Sequence, residues 1–378
     1  MIKVVTAIDS FKGSVSSLEA GYAAKDAVLS VYKDAEVVVM PLADGGEGTV
    51  KTLVSGMNGK LVKAEVTGPT GDKITAEYGI IGNTAVIEMA AAAGLPITPV
   101  EKRNPLYTTT YGVGELILNA VENGCNEFIV GIGGSATNDA GVGMLQALGF
   151  EFYDKGGNSV KTGGKYVADI TGINTDNVNP KIKNCKFRIA CDVDNPLCGK
   201  RGASYIYGPQ KGATPEIVEF LDNALKSFSE VTKNKLGIDC ANDEGSGAAG
   251  GLGYAFRAYL NGELKPGIEI VLDEIGIDKV LADADFVITG EGRIDSQSAM
   301  GKAPVGVAKR AKKYGAKVIG IAGCVADDAY LCNAAGIDAI FAVTDKAMSL
   351  EEAMDKETTK KNIRKTVTQI FNLIKTFE

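Results

Sequence analysis

The chain has 378 residues, 45% of them hydrophobic and 23% charged, and a formal net charge of −7. That length supplies two domains with buried cores, and the composition is not that of a disordered chain. Basic residues scattered under a net negative charge speak against a nucleic-acid partner, and no apolar run is long enough to span a bilayer. The opening residues carry no apolar leader, and seven cysteines without a CxxC pair read as reduced thiols, so a cytoplasmic setting is expected. The chain contains no histidine. Ser-His-Asp and Cys-His nucleophile systems, HExxH zinc sites and histidine general bases are therefore excluded. Carboxylates, Lys/Arg and backbone N–H groups remain, a set that suits phosphoryl transfer, where catalysis is mostly positioning and charge stabilisation.

The expected elements begin with a buried strand, "IKVVTAI" (2–8), ahead of Asp9-Ser10. Ser16 and Glu19 form a capping box, and Leu18, Tyr22, Leu29 and Tyr32 recur on one face of the helix that follows. "EVVVMPL" (36–42) reads as a second strand and 49–55 as a second helix. From about residue 60, short apolar runs between Gly-Pro and Gly-Asn turns predict hairpins and a mixed sheet. A helix over "TTTYGVGELILNAVENG", a strand "EFIV" and a helix over "DAGVGMLQAL" come next, then strands near 150–153 and 187–191. "GSGAAGGLGYAF" (245–256) reads as a helix opening. Past 280, "DFVITG", "AKVIGIAG" and "DAIFAVTD" are strands between helices, and an amphipathic helix closes the chain. Strand–helix alternation at both ends around a different middle predicts a discontinuous domain with an insertion.

Glycine-rich strand-to-helix junctions recur. Gly131 to Thr137 offers free N–H groups to an anion, or simply allows tight strand–helix packing; one such junction supports both readings equally. "PLADGGEGT" (41–49) adds Asp44 and Glu47, and "VITGEGRIDSQSAMGKAP" (287–304) adds Glu291, Arg293, Asp295 and Lys302. Glycines and carboxylates together at strand ends suit magnesium and phosphates. Asp9 and Lys12 follow one strand; Asp192, Asp194 and Asn195 follow another, and Lys211 lies in "GPQKGA" (208–213), where a surface lysine is the alternative. The Walker pattern fails at Gly301-Lys302. A relaxed dinucleotide fingerprint, GxGxxA, matches Gly131, Gly133 and Ala136 with Glu151 downstream, so an NAD(P)-binding dehydrogenase is the alternative enzyme. It lacks a catalytic acid, since the Tyr207–Lys211 spacing runs through Gly208-Pro209.

Ten segments in order, "DSFKGS", "PLADGGEGT", "VTGPTGD", "AVIEMAAAAGL", "NPLYTTTYGVGELI", "GIGGSATNDAG", "ACDVDNPLCG", "GPQKGA", "GAAGGLG" and "ITGEGRIDSQSAMGKAPVGVA", resemble the signature segments of the bacterial glycerate kinase family, type 1, glycerate 2-kinase-like. One departure is Ala140, where the family pattern favours glycine. The resemblance implies ATP- and Mg²⁺-dependent phosphorylation of D-glycerate to 2-phosphoglycerate, with 3-phosphoglycerate as the other product and the oligomeric state, monomer or homodimer, left open. It implies two α/β domains: a flavodoxin/Rossmann-like one from 1–65 plus 282–378, and an inserted restriction-endonuclease-like one, 66–281, with the active site in the cleft between them. On this basis Asp192, Asp295, Arg293 and Lys12 are the expected catalytic residues. Gly133, Gly134, Ser135, Thr137, Asn138, Lys211 and Lys302 are expected at nucleotide or phosphate, Asp9, Ser10, Asp44 and Arg293 at substrate, and Asp192 and Glu291 at Mg²⁺. A nucleotide-binding regulator without catalysis is a third possibility, which the retained carboxylates and Arg293 argue against.

Overall fold

The computed structural model describes residues 2–377. In chain order its strands are β1 (Lys3–Ile8), β2 (Glu36–Pro41), β3 (Lys60–Thr67), β4 (Lys73–Ile81), β5 (Thr84–Glu88), β6 (Glu127–Gly131), β7 (Glu151–Tyr153), β8 (Gly172–Asn174), β9 (Lys186–Ala190), β10 (Glu263–Lys265), β11 (Phe286–Ile294), β12 (Lys317–Val325) and β13 (Ala339–Ala342). The chain divides into two compact units. One holds the chain up to Asp44, Ser55–Asn58 and everything from Ile268 onward; the other holds Gly45–Val54 and Gly59–Gly267. These limits differ from the changeovers expected at 65/66 and 281/282. β3 pairs antiparallel with β4 along its whole length and so joins the second unit. Ile268, Leu272, Ile277 and Leu281 are buried in a core of the first unit and draw 268–281 with them.

The first unit is built on an all-parallel sheet, β13-β12-β11-β1-β2. Counted within the sheet this is the order 2-1-3-4-5 of a flavodoxin-like, doubly wound domain. A parallel sheet is covered on both faces, so its strands are apolar throughout. Along β1, Val4 and Ile8 enter one core cluster while Val5 and Ala7 enter the other, the two-residue alternation of a strand. Each such side chain, fully buried, contributes roughly 1.5–3 kcal/mol. Helices Ser17–Val31 and Lys356–Lys375 cover one face, and Gly267–Glu274 and Ala303–Lys312 the other.

The capping box at Ser16 and Glu19 is present, but the buried face of helix Ser17–Val31 is not the one expected. Ser17, Ala20, Gly21, Ala23, Ala24, Ala27 and Val28 are buried, whereas Tyr22 is 54% exposed. The helix lies so close to the sheet that a Cβ on Gly21 would stand 2.6 Å from Val39 Cγ1. Small residues permit that approach, and the larger ones are left at the margin. β11 also differs from expectation, since the strand continues through "GEGRI" to Ile294. A Cβ on Gly290 would run into the Ile321 carbonyl of β12, so that glycine answers to strand packing and not to a ligand loop.

The second unit contains the sheet β10-β9-β6-β5-β4-β3, parallel from β10 to β5 and antiparallel from β5 to β3. This is the expected mixed sheet. The β4–β5 hairpin turns on Gly82-Asn83, with Gly82 at φ 59°, a two-residue turn whose twist matches the strands. Phe128 and Phe187 stack in the core at 4.8 Å between centroids. β7 and β8 form their own two-stranded sheet.

Candidate functional site

In the first unit, the C-terminal ends of β1, β11, β12 and β13 open into a cavity of about 880 Å³. Asp9, Ser10, Lys12, Asp44, Glu291, Arg293, Asp295 and Lys302, all singled out from sequence, line it together. They converge because β1 and β11 are neighbours: Asp9 follows β1, and its N–H donates to the Gly290 carbonyl at 2.8 Å. In a 2-1-3-4-5 sheet this is the point where the chain winds away in opposite directions, which leaves a crevice at the strand ends.

The electrostatics are those of crowded carboxylates. Asp9 is 6% exposed. Burial, followed by the charges of Asp44 and Glu291, pushes its carboxyl up to about 7, against the opposing pull of the Ser10 N–H and Lys12. Glu291 is likewise raised, chiefly by burial, although the Ser298 hydroxyl donates to it. Lys12 reaches Asp44 at 4.0 Å. Asp295 is largely committed to structure: it caps helix Ser296–Ala299 by accepting from the Gln297 N–H at 3.0 Å and pairs with Arg293 at 3.3 Å. Lys302 donates to Gln297 at 2.9 Å. Among the described residues no group of three or more His, Cys, Asp or Glu is arranged to hold a metal ion. Magnesium needs only one or two carboxylates beside phosphate oxygens, and Asp9 and Glu291, both raised chiefly by burial, fit that demand.

In the second unit, a pocket of about 260 Å³ is lined by Gly45, Gly46, Gly133, Gly134, Ser135, Asp192, Tyr207 and Lys211, among others. The glycine loop is longer than the sequence suggested. β6 ends at Gly131, Ala140 and Gly141 are left-handed, and the helix is only Val142–Ala147. A helix that short adds little dipole, so anion capacity rests on the loop itself. Among the described residues, the N–H groups of Gly133, Gly134 and Ser135 make no hydrogen bond within the protein. Gly134 at φ 72° bends them into a concavity, the geometry of an anion nest.

Lys211 is not a surface lysine. It is 1% exposed and donates to the Thr137 carbonyl at 2.7 Å. Burial brings its ammonium down to about 7, with Asp139 pulling the other way. Thr137 and Asn138, expected at the nucleotide, are fully buried and do not line the pocket; Asn138 donates to Ser204. Asp139, overlooked in sequence, is fully buried and accepts from Thr110 N–H and hydroxyl and from the Gly141 and Gly143 N–H groups. The segment opened by "GAAGG" is no regular helix at first: Ala249, Gly250 and Gly251 are all left-handed. They interlock with the loop, since the Ala140 N–H donates to the Gly250 carbonyl at 3.0 Å. Ala140 itself sits at φ 54°, a conformation that glycine adopts without steric cost.

Asp192 follows β9, is exposed, and accepts from the Gly267 N–H at 2.9 Å. It belongs to the second unit and Glu291 to the first. Asp194 pairs with Arg201 at 2.9 Å, and Asn195 bonds the Arg201 carbonyl and Tyr207. Lys346, which no motif marked, also lines the larger cavity. The dinucleotide fingerprint loses its context. After β6 and its loop the chain enters β7, outside the parallel sheet, where Glu151 bonds Tyr153, Asn174 and Asn177. A dinucleotide site requires a βαβ unit with the acid at the next parallel strand.

All seven cysteines are free, and among the described residues no helix is long and apolar enough to cross a membrane. The sequence pattern of the glycerate kinase family matches residues 4–375. A Bacillus subtilis protein named glycerate kinase is 48% identical over 94% of this chain and 93% of its own. An Escherichia coli protein named glycerate 2-kinase is 49% identical over 93% of each. A crystal structure of a Salmonella typhimurium LT2 protein that carries the name glycerate kinase 2 superposes with TM-score 0.91 at 44% identity, over 99% of this chain and 98% of that one. Full-length agreement of sequence and fold, with all but one of the charged residues of the larger cavity drawn from the family's segments, leads to one conclusion: the chain belongs to the glycerate kinase family and is a kinase.

Proposed function

We propose that the chain transfers the γ-phosphoryl group of ATP to the 2-hydroxyl of D-glycerate, giving 2-phosphoglycerate and ADP, as a cytoplasmic enzyme. The observation that carries this is the pair of charged pockets: Asp9 and Glu291 with Lys12, Arg293 and Lys302 in one, and the Gly133–Ser135 loop with Lys211 and Asp192 in the other. The relative named a 2-kinase supports the regiochemistry.

Asp192 is the proposed base. It is exposed just past the end of β9 and lines the pocket beside the glycine loop, where a carboxylate can accept a proton from an alcohol. Asp295, also expected among the catalytic residues, is occupied as a helix cap. Asp9 and Glu291 would hold Mg²⁺, which supplies charge neutralisation on the phosphate oxygens. Lys12, Arg293 and Lys302 give charge-assisted hydrogen bonds to the phosphates, positioning the transferred group and stabilising its developing charge.

The test is ADP release with Mg-ATP and D-glycerate, with the product's phosphate position read by ³¹P NMR. Glycerate-dependent ADP with a 2-phosphoglycerate signal is expected. A 3-phosphoglycerate signal would correct the regiochemistry, and ATP binding without turnover would replace the kinase with a nucleotide-binding regulator.

A further inference from the structure

The family resemblance put the nucleotide on the glycine loop and the acceptor at Asp9. The two pockets differ in size and lining in a way that points to the opposite partition. The cavity of the first unit, about 880 Å³, falls in the range of roughly 300–1,000 Å³ that encloses drug-sized ligands. The pocket of the second unit, about 260 Å³, lies below that range and suits a three-carbon acid.

The larger cavity is lined by two kinds of group. Phe11, Val325, Val343, Met348, Leu350 and Met354 offer apolar surface to a planar base. Lys12, Arg293 and Lys302 with Asp9 and Glu291 offer groups for phosphates and their cation. The cavity lies at the winding reversal between β1 and β11, where open parallel sheets receive mononucleotides. The smaller pocket has apolar lining as well, from Ile132, Val193 and Tyr207, but too little volume to enclose a nucleoside. It offers the three N–H groups of Gly133, Gly134 and Ser135, and a buried ammonium whose only hydrogen bond among the described residues is to the Thr137 carbonyl. Those donors can satisfy one compact anion.

Resting on the function proposed above, we propose that the nucleoside triphosphate occupies the cavity at the strand ends of the five-stranded sheet, and that the pocket around Lys211 takes the carboxylate of the hydroxy acid. Lys211 and the glycine loop thus select the acceptor, and the triphosphate makes its contacts with Lys12, Arg293 and Lys302.

The experiment compares full-length variants in two readouts: equilibrium binding of AMP-PNP with Mg²⁺, and KM for D-glycerate. Leu350 is 76% exposed, so Leu350→Asp places a charge on the cavity wall without burying it; Lys302→Gln removes a phosphate donor. Both are expected to weaken AMP-PNP by about tenfold or more while leaving the glycerate KM within about twofold. Gly133→Ala adds a methyl that meets nothing within 4 Å in the protein and so enters only the pocket. It is expected to raise the glycerate KM by about tenfold or more with AMP-PNP affinity unchanged, as is Lys211→Met. Gly133→Ala carries the test if Lys211→Met fails to fold. Loss of AMP-PNP binding in Gly133→Ala, or a raised glycerate KM in Leu350→Asp with nucleotide binding intact, overturns the partition. Absence of glycerate turnover in the unsubstituted chain removes the acceptor assignment; the AMP-PNP arms then still decide where the nucleotide sits.

Discussion

Asp9→Asn is expected to stabilise the protein at alkaline pH and not at acid pH. The buried carboxyl is raised from 3.8 to about 7, so the folded state binds its proton more tightly than the unfolded chain does. The sign follows from linkage: the favourable contribution is complete below pH 3.8 and is lost as the pH rises to about 7. About three pH units at ~1.4 kcal/mol each set an upper bound of about 4 kcal/mol on the cost of ionising this group in place. Asparagine keeps the shape and an oxygen for the Ser10 N–H, which now bonds Asp9 at 2.7 Å, and removes the charge that Asp44 and Glu291 oppose. A gain of about 2–4 kcal/mol at pH 8.5 corresponds to roughly 5–10 °C in Tm. At pH 5 the gain should be smaller by about 2–3 kcal/mol, because the folded carboxyl is neutral there and the pH stands only about one unit above the unfolded carboxyl's own value. Thermal unfolding by circular dichroism at the two pH values, without Mg²⁺ or nucleotide, is the assay. Equal shifts at both pH values, or a lower Tm for Asp9→Asn at pH 8.5, would refute the account of Asp9. Stability gained by removing a strained charge is commonly paired with lost activity, so kcat should fall in the same variant.

Asp192→Asn should lower kcat by more than about a hundredfold, the scale of general acid–base catalysis; wild-type turnover in a folded variant would remove Asp192 as the base. Gly250→Ala should cost more than about 3 kcal/mol, because the residue is left-handed and its new methyl would run into the Thr137 carbonyl. Gly237→Ala, left-handed but facing open space, should cost only about 1 kcal/mol; comparable losses in denaturant titrations would contradict the interlocked-loop account. Lys211 is depressed in the folded state from 10.5 to about 7, so wild-type stability should rise with pH between those values. The stability of Lys211→Met relative to wild type should therefore be greater at pH 6.5 than at pH 9.5, and a slope of the opposite sign in parallel melts would be the contrary result.

The capping box at Ser16 and Glu19, the apolar strands β1, β2 and β9 and the Gly-Asn hairpin were legible because each depends on neighbours in sequence: a helix end, an alternating strand, a two-residue turn. The order of the family segments was legible for the same reason. So were Asp9, Ser10, Lys12 and Asp44 of the larger cavity, which sit just past the ends of recognisable strands.

What escaped depends on partners far along the chain. Lys211 is buried because Thr137, 74 residues away, supplies its carbonyl and Asp139 its counter-charge. Helix Ser17–Val31 buries alanines in place of Leu18 and Tyr22 because the sheet approaches Gly21 too closely for bulk. Gly290 serves its neighbour β12, and Glu151 was drawn into a separate hairpin by residues near 174. The sequence by itself determined the α/β class, the kinase family and the chemical kit, since periodicity, ordered motifs and the lack of histidine are properties of the string. Tertiary structure alone decided which polar groups are buried, how far each carboxyl and ammonium is shifted, and how large each pocket is. Desolvation and excluded volume are set by whatever packs against a residue, and that is fixed only when distant segments meet.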